Sequence, residues 1–228
     1  MVNRYTLPLC NRDGSASDEQ FSVNKIICIG RNYAEHAREM GHDPEREPPF
    51  FFFKPQSALA HNGDDFIYPD FSNQVEHELE LVIAIGKSGY KIARENAADY
   101  VMGFAVGLDM TCRDIQKEAK KMGRPWELAK GFDGSAPCTA IQRGTLADLE
   151  QYGDLVLTRN GTEVQRGNWR EMVWPIPELI VEVSHYIKLE AGDLIFTGTP
   201  AGIGQVHKGD KLCATLEGFS QVLEMTIV

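Results

Sequence analysis

Apolar and polar residues alternate with a period of two along much of this chain, the spacing of strands whose two faces meet different surroundings. The clearest run is 77–86. His77, Leu79, Leu81, Ile83 and Ile85 share one face, while Glu76, Glu78, Glu80, Val82 and Ala84 share the other. The second face passes from carboxylates to hydrocarbon, as expected of a strand that enters a core from an acid-lined pocket. The run 101–111 also alternates, placing Phe104, Val106, Leu108 and Met110 opposite Ala105, Gly107, Asp109 and Thr111, and its small face leaves room beside Asp109. Shorter strands are predicted at 25–30, at 193–197, at 211–216 and at 221–228, with a buried strand of four phenylalanines at 50–54 that ends in Lys54. Between 155–159 and 162–165, Asn160-Gly161 predicts a two-residue hairpin, since both residues tolerate the positive φ of a type I′ turn.

Helical spacing is confined to a few segments. Residues 34–40 are good helix formers closed by Gly41, a short helix fits 94–100, and a longer one runs from Arg113 or Asp114 to Met122 with Gly123 as its stop. Pro177 opens another helix that reaches Tyr186 and carries Ile180 and Val183 on its apolar side. The first twenty residues read as a short strand, a turn through 11–14 and a polar segment, and 125–133 reads as irregular. The sum is an α+β chain, mainly β.

The bulk properties narrow the class. A chain of 228 residues is long enough to bury a substantial core as one domain, and 43% hydrophobic with 25% charged residues is ordinary globular composition. A net charge of -10 argues against nucleic acid or an anionic membrane as partner. No apolar run approaches membrane-spanning length and residues 1–10 lack a signal peptide's apolar core, so a cytoplasmic location is expected. The five cysteines are scattered and odd in number, which favours free thiols over a disulfide framework or a zinc site.

Three groups of residues carry candidate chemistry. Glu78 and Glu80, at i and i+2, either form a solvated polar strand end or aim together at one cation, and hard oxygen ligands suit Mg²⁺ or Mn²⁺. His36 and Glu39, three apart on a helix, are either an incidental surface pair or an acid/base dyad in which the carboxylate fixes the imidazole tautomer. The charged, proline-broken loop 41–49 beside that pair reads as a lid. Lys54, at the end of an apolar strand, either snorkels to solvent or binds an anionic substrate. The glycine loop 198–204 matches no phosphate-binding spacing.

Taken in order, Gly30-Arg31-Asn32-Tyr33 with His36 and Glu39, Phe53-Lys54-Pro55, His77-Glu78-Leu79-Glu80, Leu108-Asp109-Met110-Thr111 with Arg113-Asp114 and Gln116, Pro125-Trp126 with Lys130, and Thr197-Gly198-Thr199-Pro200 resemble the fumarylacetoacetate hydrolase family, specifically its short acylpyruvate hydrolase-type members. The resemblance implies a mixed β-sandwich roll with flanking helices, normally a homodimer, in which residues 1–24 form a short N-terminal segment and 25–228 the catalytic domain. It implies Mg²⁺ or Mn²⁺ held by Glu78, Glu80 and Asp109, a water-activating dyad of His36 and Glu39, and Lys130 supporting the water or the developing oxyanion. Arg31, Tyr33, Lys54, Gln116 and Thr199 are implied as substrate contacts. The implied reaction is hydrolysis of a C–C bond in a 2,4-dioxo acid such as fumarylpyruvate or acetylpyruvate. The same site would also suit decarboxylation or keto-enol tautomerisation of oxaloacetate, or isomerisation of a related diacid.

Overall fold

In a computed structural model, which describes residues 5–39 and 48–228 apart from the side chains of Ala37 and Glu39, the strand Leu79–Ile85 runs through the middle of a mixed sheet. All seven of its residues are buried. The alternation read from the sequence explains how: Leu79, Leu81, Ile83 and Ile85 pack into one core, while Val82 and Ala84 pack into a second on the opposite face. Each such leucine, isoleucine or valine side chain stabilises the fold by roughly 1.5–3 kcal/mol relative to exposure.

The strand is flanked by antiparallel neighbours, Val101–Leu108 on one side and Leu194–Phe196 on the other. Beyond Val101–Leu108 come Ile141–Arg143, Thr6–Cys10 and Ala16–Ser22; beyond Leu194–Phe196 come Ile26–Gly30 and, at the edge, Phe50–Lys54. Ile26–Gly30 lies parallel to Leu194–Phe196 and Thr6–Cys10 parallel to Ile141–Arg143, which makes the sheet mixed. A second, antiparallel sheet of Thr162–Gly167, Leu155–Arg159, Lys211–Leu216 and Leu223–Thr226 lays Leu155, Leu157, Leu212, Ala214 and Leu216 into the core under Leu79 and Leu81. The two sheets form the sandwich. The hairpin turn is where the sequence puts it, with φ of 54° at Asn160 and 79° at Gly161.

Helices cover the flanks. Arg113–Met122 ends at Gly123, whose left-handed φ of 63° lets its N–H return to the carbonyls of Ala119 and Lys120. Ile176–Tyr186 buries Ile176, Leu179, Ile180 and Val183. Helix Ala34–Glu39 follows Gly30 closely, and the loop read as a lid lies for the most part outside the described residues, in 40–47.

Several expectations are corrected. The run 77–86 is not one strand: it breaks at Glu78, and Val75–His77 belongs to a third small sheet with Thr111–Cys112 and Gly204–Gln205. The run 101–111 breaks at Asp109 and Met110 for the same reason. Both chains leave the main sheet together, pairing Leu79 with Leu108 before the corner and Glu76 with Thr111 after it. The phenylalanine strand is an edge rather than buried, with Phe53 43% exposed and only Lys54 fully enclosed. Arg94–Tyr100 is a 3₁₀ helix, and the segment read as irregular contains a one-turn helix, Glu127–Lys130. The small face at Gly107 is filled: a Cβ there would lie 2.7 Å from the Phe196 ring and 2.8 Å from Val82. All five cysteines are free thiols, and among the described residues no helix is long and apolar enough to cross a membrane.

Candidate active site

The corner between the main and small sheets is where the acidic residues meet. Because Leu79 pairs with Leu108, the residues just before and just after them, Glu78 and Asp109, face each other across the break, and the Asp109 N–H donates to the Glu78 carbonyl at 2.9 Å. Glu80 follows on the same face of the strand as Glu78. One carboxylate oxygen from each of Glu78, Glu80 and Asp109 lies within 4.8 Å of the others, and all three side chains are buried.

Buried carboxylates this close require compensation. Lys130 Nζ donates to Glu78 Oε2 at 2.8 Å and to Asp109 Oδ2 at 2.7 Å. Arg113 reaches both Glu76, at 2.6 Å, and Glu78 Oε1. Lys54 Nζ lies 2.8 Å from Asp109 Oδ1 and donates to the Lys130 and Met110 carbonyls and to Ser135 Oγ. These cations divide the carboxylates into two kinds. Burial works to raise the Glu78 carboxyl, but the Lys130 ammonium and the Arg113 guanidinium outweigh it and hold Glu78 well below the usual range. Glu80 is pushed well above it, first by burial and then by the charges of Asp109 and Glu78, against a hydrogen bond from the Gly198 N–H at 2.8 Å and the Lys130 ammonium. Burial lowers the Lys130 ammonium, yet Asp109 and Glu78 together hold it above the ordinary lysine value.

These residues suit a divalent cation. The donor set is three carboxylates, the hard oxygen ligands that Mg²⁺ and Mn²⁺ prefer. Two of the donors are also incompletely served: Glu80 is crowded by like charge, and Asp109 Oδ1 touches the Lys54 ammonium without a directed hydrogen bond from any described residue.

The cleft above the carboxylates is lined by Arg31, His36, Gln116, Lys130 and Thr199, so five further candidate residues converge with Glu78, Glu80 and Asp109 on it. Arg31 holds a left-handed backbone, φ 56°, directly after Gly30, where a Cβ would strike the Phe50 ring at 2.1 Å. His36 is buried in the cleft wall, and its positive charge would favour the ionised form of Glu78. The Glu39 side chain lies outside the described residues. Thr199 Oγ1 donates to the Leu79 carbonyl at 2.8 Å and accepts from Gln165 Nε2 at 2.7 Å. Gln116 accepts from Arg113 at 2.7 Å. Two candidates stand behind the lining rather than in it. Lys54 faces Asp109 from below, and Tyr33 is buried in the core with a hydroxyl that finds no partner among the described residues; burial and the nearby Glu80 charge raise its phenol.

Sequence reasoning named Gln116 at the site but missed that its helix, Arg113–Met122, brings Arg113 and Lys120 to the same wall. Arg113, Gln116 and Lys120 all line the cleft. Their spacing, i, i+3 and i+7, is that of one helical stripe, and that was the available signal. The aromatic wall opposite, Phe50, Phe52 and Trp126, packs edge to face, with Trp126 5.6 Å from Phe50 and 5.8 Å from Phe52. A cation sits over each ring: Arg31 at 5.4 Å from Phe50, Lys130 at 5.2 Å from Phe52 and Lys120 at 5.1 Å from Trp126.

Comparison with known proteins points the same way. Residues 25–227 match the fumarylacetoacetate (FAA) hydrolase C-terminal family. A crystal structure of the fumarylpyruvate hydrolase of Pseudomonas aeruginosa, in complex with Mn²⁺ and pyruvate, superposes with a TM-score of 0.90 at 39% identity, covering 100% of this chain and 98% of that one. The human mitochondrial oxaloacetate tautomerase FAHD1 is 42% identical over 195 residues, 85% of this chain and 87% of its own. The mitochondrial oxaloacetate decarboxylase of Dictyostelium discoideum is 40% identical over 206 residues, 90% of this chain and 94% of its own.

Proposed function

This chain belongs to the fumarylacetoacetate hydrolase family, and from that premise we propose that it is a Mg²⁺- or Mn²⁺-dependent enzyme that hydrolyses acylpyruvates, 2,4-dioxo acids such as fumarylpyruvate or acetylpyruvate, to pyruvate and a carboxylic acid. The observation that carries the reading is the opposition of His36 to three mutually close carboxylates across one cleft. The similarity to a fumarylpyruvate hydrolase that holds Mn²⁺ and pyruvate supports it.

In this reading Glu78, Glu80 and Asp109 hold the ion, which when bound would supply Lewis-acid polarisation of the 2-oxo oxygen. His36, oriented by Glu39, takes a proton from a water molecule as the water oxygen bonds to the distal carbonyl carbon. Lys130 spends two of its three N–H donors on Glu78 and Asp109, and the third is available to the alkoxide oxygen that forms. Collapse of that alkoxide restores the carbonyl and breaks the bond to the methylene carbon, whose electron pair settles on the 2-oxo oxygen as an enolate. Return of the proton to the methylene carbon yields pyruvate, and the other fragment leaves as the carboxylic acid. Arg31, Gln116 and Thr199 contact the substrate in the cleft, while Lys54 acts through Asp109 and Tyr33 from beside Glu80.

A second reading is favoured by the tautomerase and decarboxylase relatives. Tautomerisation of oxaloacetate moves a proton between its methylene carbon and the 2-oxo oxygen, and decarboxylation releases CO₂ with the electron pair on that same oxygen. Neither uses an attacking water. Purified protein with Mg²⁺ is therefore assayed on acetylpyruvate and on oxaloacetate, with an EDTA control. Equal amounts of pyruvate and acetate from acetylpyruvate, abolished by EDTA, support the hydrolase. Turnover of oxaloacetate alone replaces it with the second reading.

A further inference from the structure

We infer that Asn32 is a positioning residue that couples the wall bearing His36 to Glu80 through one peptide group, that between Thr197 and Gly198. The inference rests on the reading above for the roles of Glu80 and His36, and adds what holds the two in register. Asn32 is fully buried between Arg31 and the helix Ala34–Glu39. Both of its N–H donors and its side-chain oxygen are engaged. Oδ1 accepts from the Trp174 N–H at 2.8 Å, while Nδ2 donates to the Trp174 carbonyl at 3.1 Å and to the Thr197 carbonyl at 2.8 Å. The Trp174 N–H fixes which way the amide points, since only its oxygen can accept. The Asn32 backbone carbonyl accepts from the Val173 N–H at 2.8 Å, and Tyr33 pairs with Met172 in an antiparallel bridge.

The Thr197 carbonyl and the Gly198 N–H belong to one planar peptide group, and in the trans form they point to opposite sides. One side takes the hydrogen bond from Asn32, and the other gives a hydrogen bond of 2.8 Å to Glu80 Oε2. A bond accepted by the carbonyl polarises the N–H opposite, so the Asn32 amide both orients and strengthens the donor that Glu80 receives. Close approach makes this contact possible: Gly198 has a φ of 98°, and a Cβ on it would lie 2.7 Å from the Asn32 Cβ. Thr197 is in turn anchored on the strand that carries Glu80, its N–H and Oγ1 donating to the Leu81 carbonyl at 3.1 and 2.9 Å. The same clamp borders the left-handed backbone of Arg31, which persists in a non-glycine residue only where the surroundings impose it. No other side chain of this length accepts once and donates twice. Aspartate here would turn an oxygen on the Thr197 and Trp174 carbonyls, and leucine would strand every one of these groups.

The test compares wild type with Asn32→Asp, which keeps the shape and the acceptor but loses both donors, and with Gly198→Ala, which displaces the same peptide from its other side. Leu212→Ala, a core truncation in the second sheet, reports what loss of stability alone does. Amide exchange followed by NMR in EDTA is expected to show the Gly198 N–H exchanging at least about tenfold faster in Asn32→Asp, relative to the amides of Val101–Leu108. Leu212→Ala moves the two sets together. Calorimetry is expected to show Mn²⁺ affinity lowered by about tenfold in Asn32→Asp and in Gly198→Ala, the low end of what loss of support behind a metal ligand costs. In turnover of acetylpyruvate at saturating Mn²⁺, kcat falls by about tenfold or more, because His36 is no longer held in register with the carboxylates. Either Gly198 exchange or Mn²⁺ affinity unchanged in Asn32→Asp, or either one changed equally by Leu212→Ala, overturns the coupling and leaves Asn32 a core amide. Because exchange and calorimetry read no turnover, variants that show both shifts in a protein that cleaves no acylpyruvate overturn the hydrolase reading and leave the coupling standing.

Discussion

Replacing Lys54 with methionine keeps most of the side chain's length and removes its charge from a position only 2% exposed. In the native fold its ammonium serves the Lys130 and Met110 carbonyls, Ser135 Oγ and Asp109 Oδ1. The Lys130 carbonyl keeps a hydrogen bond from Ser135 Oγ at 2.8 Å, and Asp109 keeps Lys130. What is stranded is the Met110 carbonyl and half the compensation of the Asp109 charge. Removing one partner of a buried pair costs about 3–5 kcal/mol, and the surviving Lys130 contact puts this case near the lower end, about 3 kcal/mol. For a chain of this size each kcal/mol shifts the melting temperature by roughly 2–4 °C, so a fall of about 6–12 °C is expected. Urea unfolding in EDTA, with and without Asp109→Asn, measures both the loss and its origin. The Lys54→Met loss should shrink by about 1–3 kcal/mol in the Asp109→Asn background, the penalty of leaving a buried polar group uncompensated, since the charge that Lys54 faces is then absent. A loss under about 1 kcal/mol, or the same loss in both backgrounds, refutes the account of Lys54 as the buried counter-charge of Asp109.

Two further outcomes follow from the same site. Glu80 has its carboxyl raised in the folded protein, so at pH values between the ordinary carboxylate value and that raised one it carries a proton which a divalent ion must displace. Metal affinity therefore increases with pH across that window, and Mg²⁺ or Mn²⁺ titrations in buffers of different ionisation enthalpy should report up to one proton released; a buffer-independent heat would contradict it. His36→Gln should leave the three carboxylates and their metal affinity intact while lowering acylpyruvate hydrolysis by about 10²–10⁴-fold, and equal loss of oxaloacetate turnover would show that His36 does more than activate water.

How much of this was legible in the sequence depends on whether the signal was local. The buried faces of Leu79–Ile85 were readable because alternation needs no partner, and so were the Asn160-Gly161 hairpin and the stop at Gly123, where single residues dictate the backbone. Glu78, Glu80 and Asp109 could be proposed together, but only the register of Leu79 with Leu108 brings Asp109 to the other two. The corner itself was hidden: nothing in the run 77–86 announces that two chains change sheets at Glu78. The exposure of Phe53 was hidden too, since four phenylalanines suggest a core, and only the sheet order shows that their strand is an edge. Lys120 lay within reach of a helical-spacing argument from Gln116.

The strand pairing also fixes an order of assembly. The carboxylate floor, with Arg113, Lys130 and Ser135, is drawn from one contiguous stretch between Val75 and Cys138, joined by antiparallel pairing of Leu79–Ile85 with Val101–Leu108. The wall that carries His36 follows the strand Ile26–Gly30, whose inner neighbour is Leu194–Phe196, with Ile26 against Leu194. Contacts near in sequence form before those that close a long loop. On a growing chain the helix bearing His36 is therefore made first, and until Leu194–Phe196 returns its strand is held to the acidic floor only from the outer side, through the pairing with Phe50–Lys54 and the contact of Lys54 with Asp109.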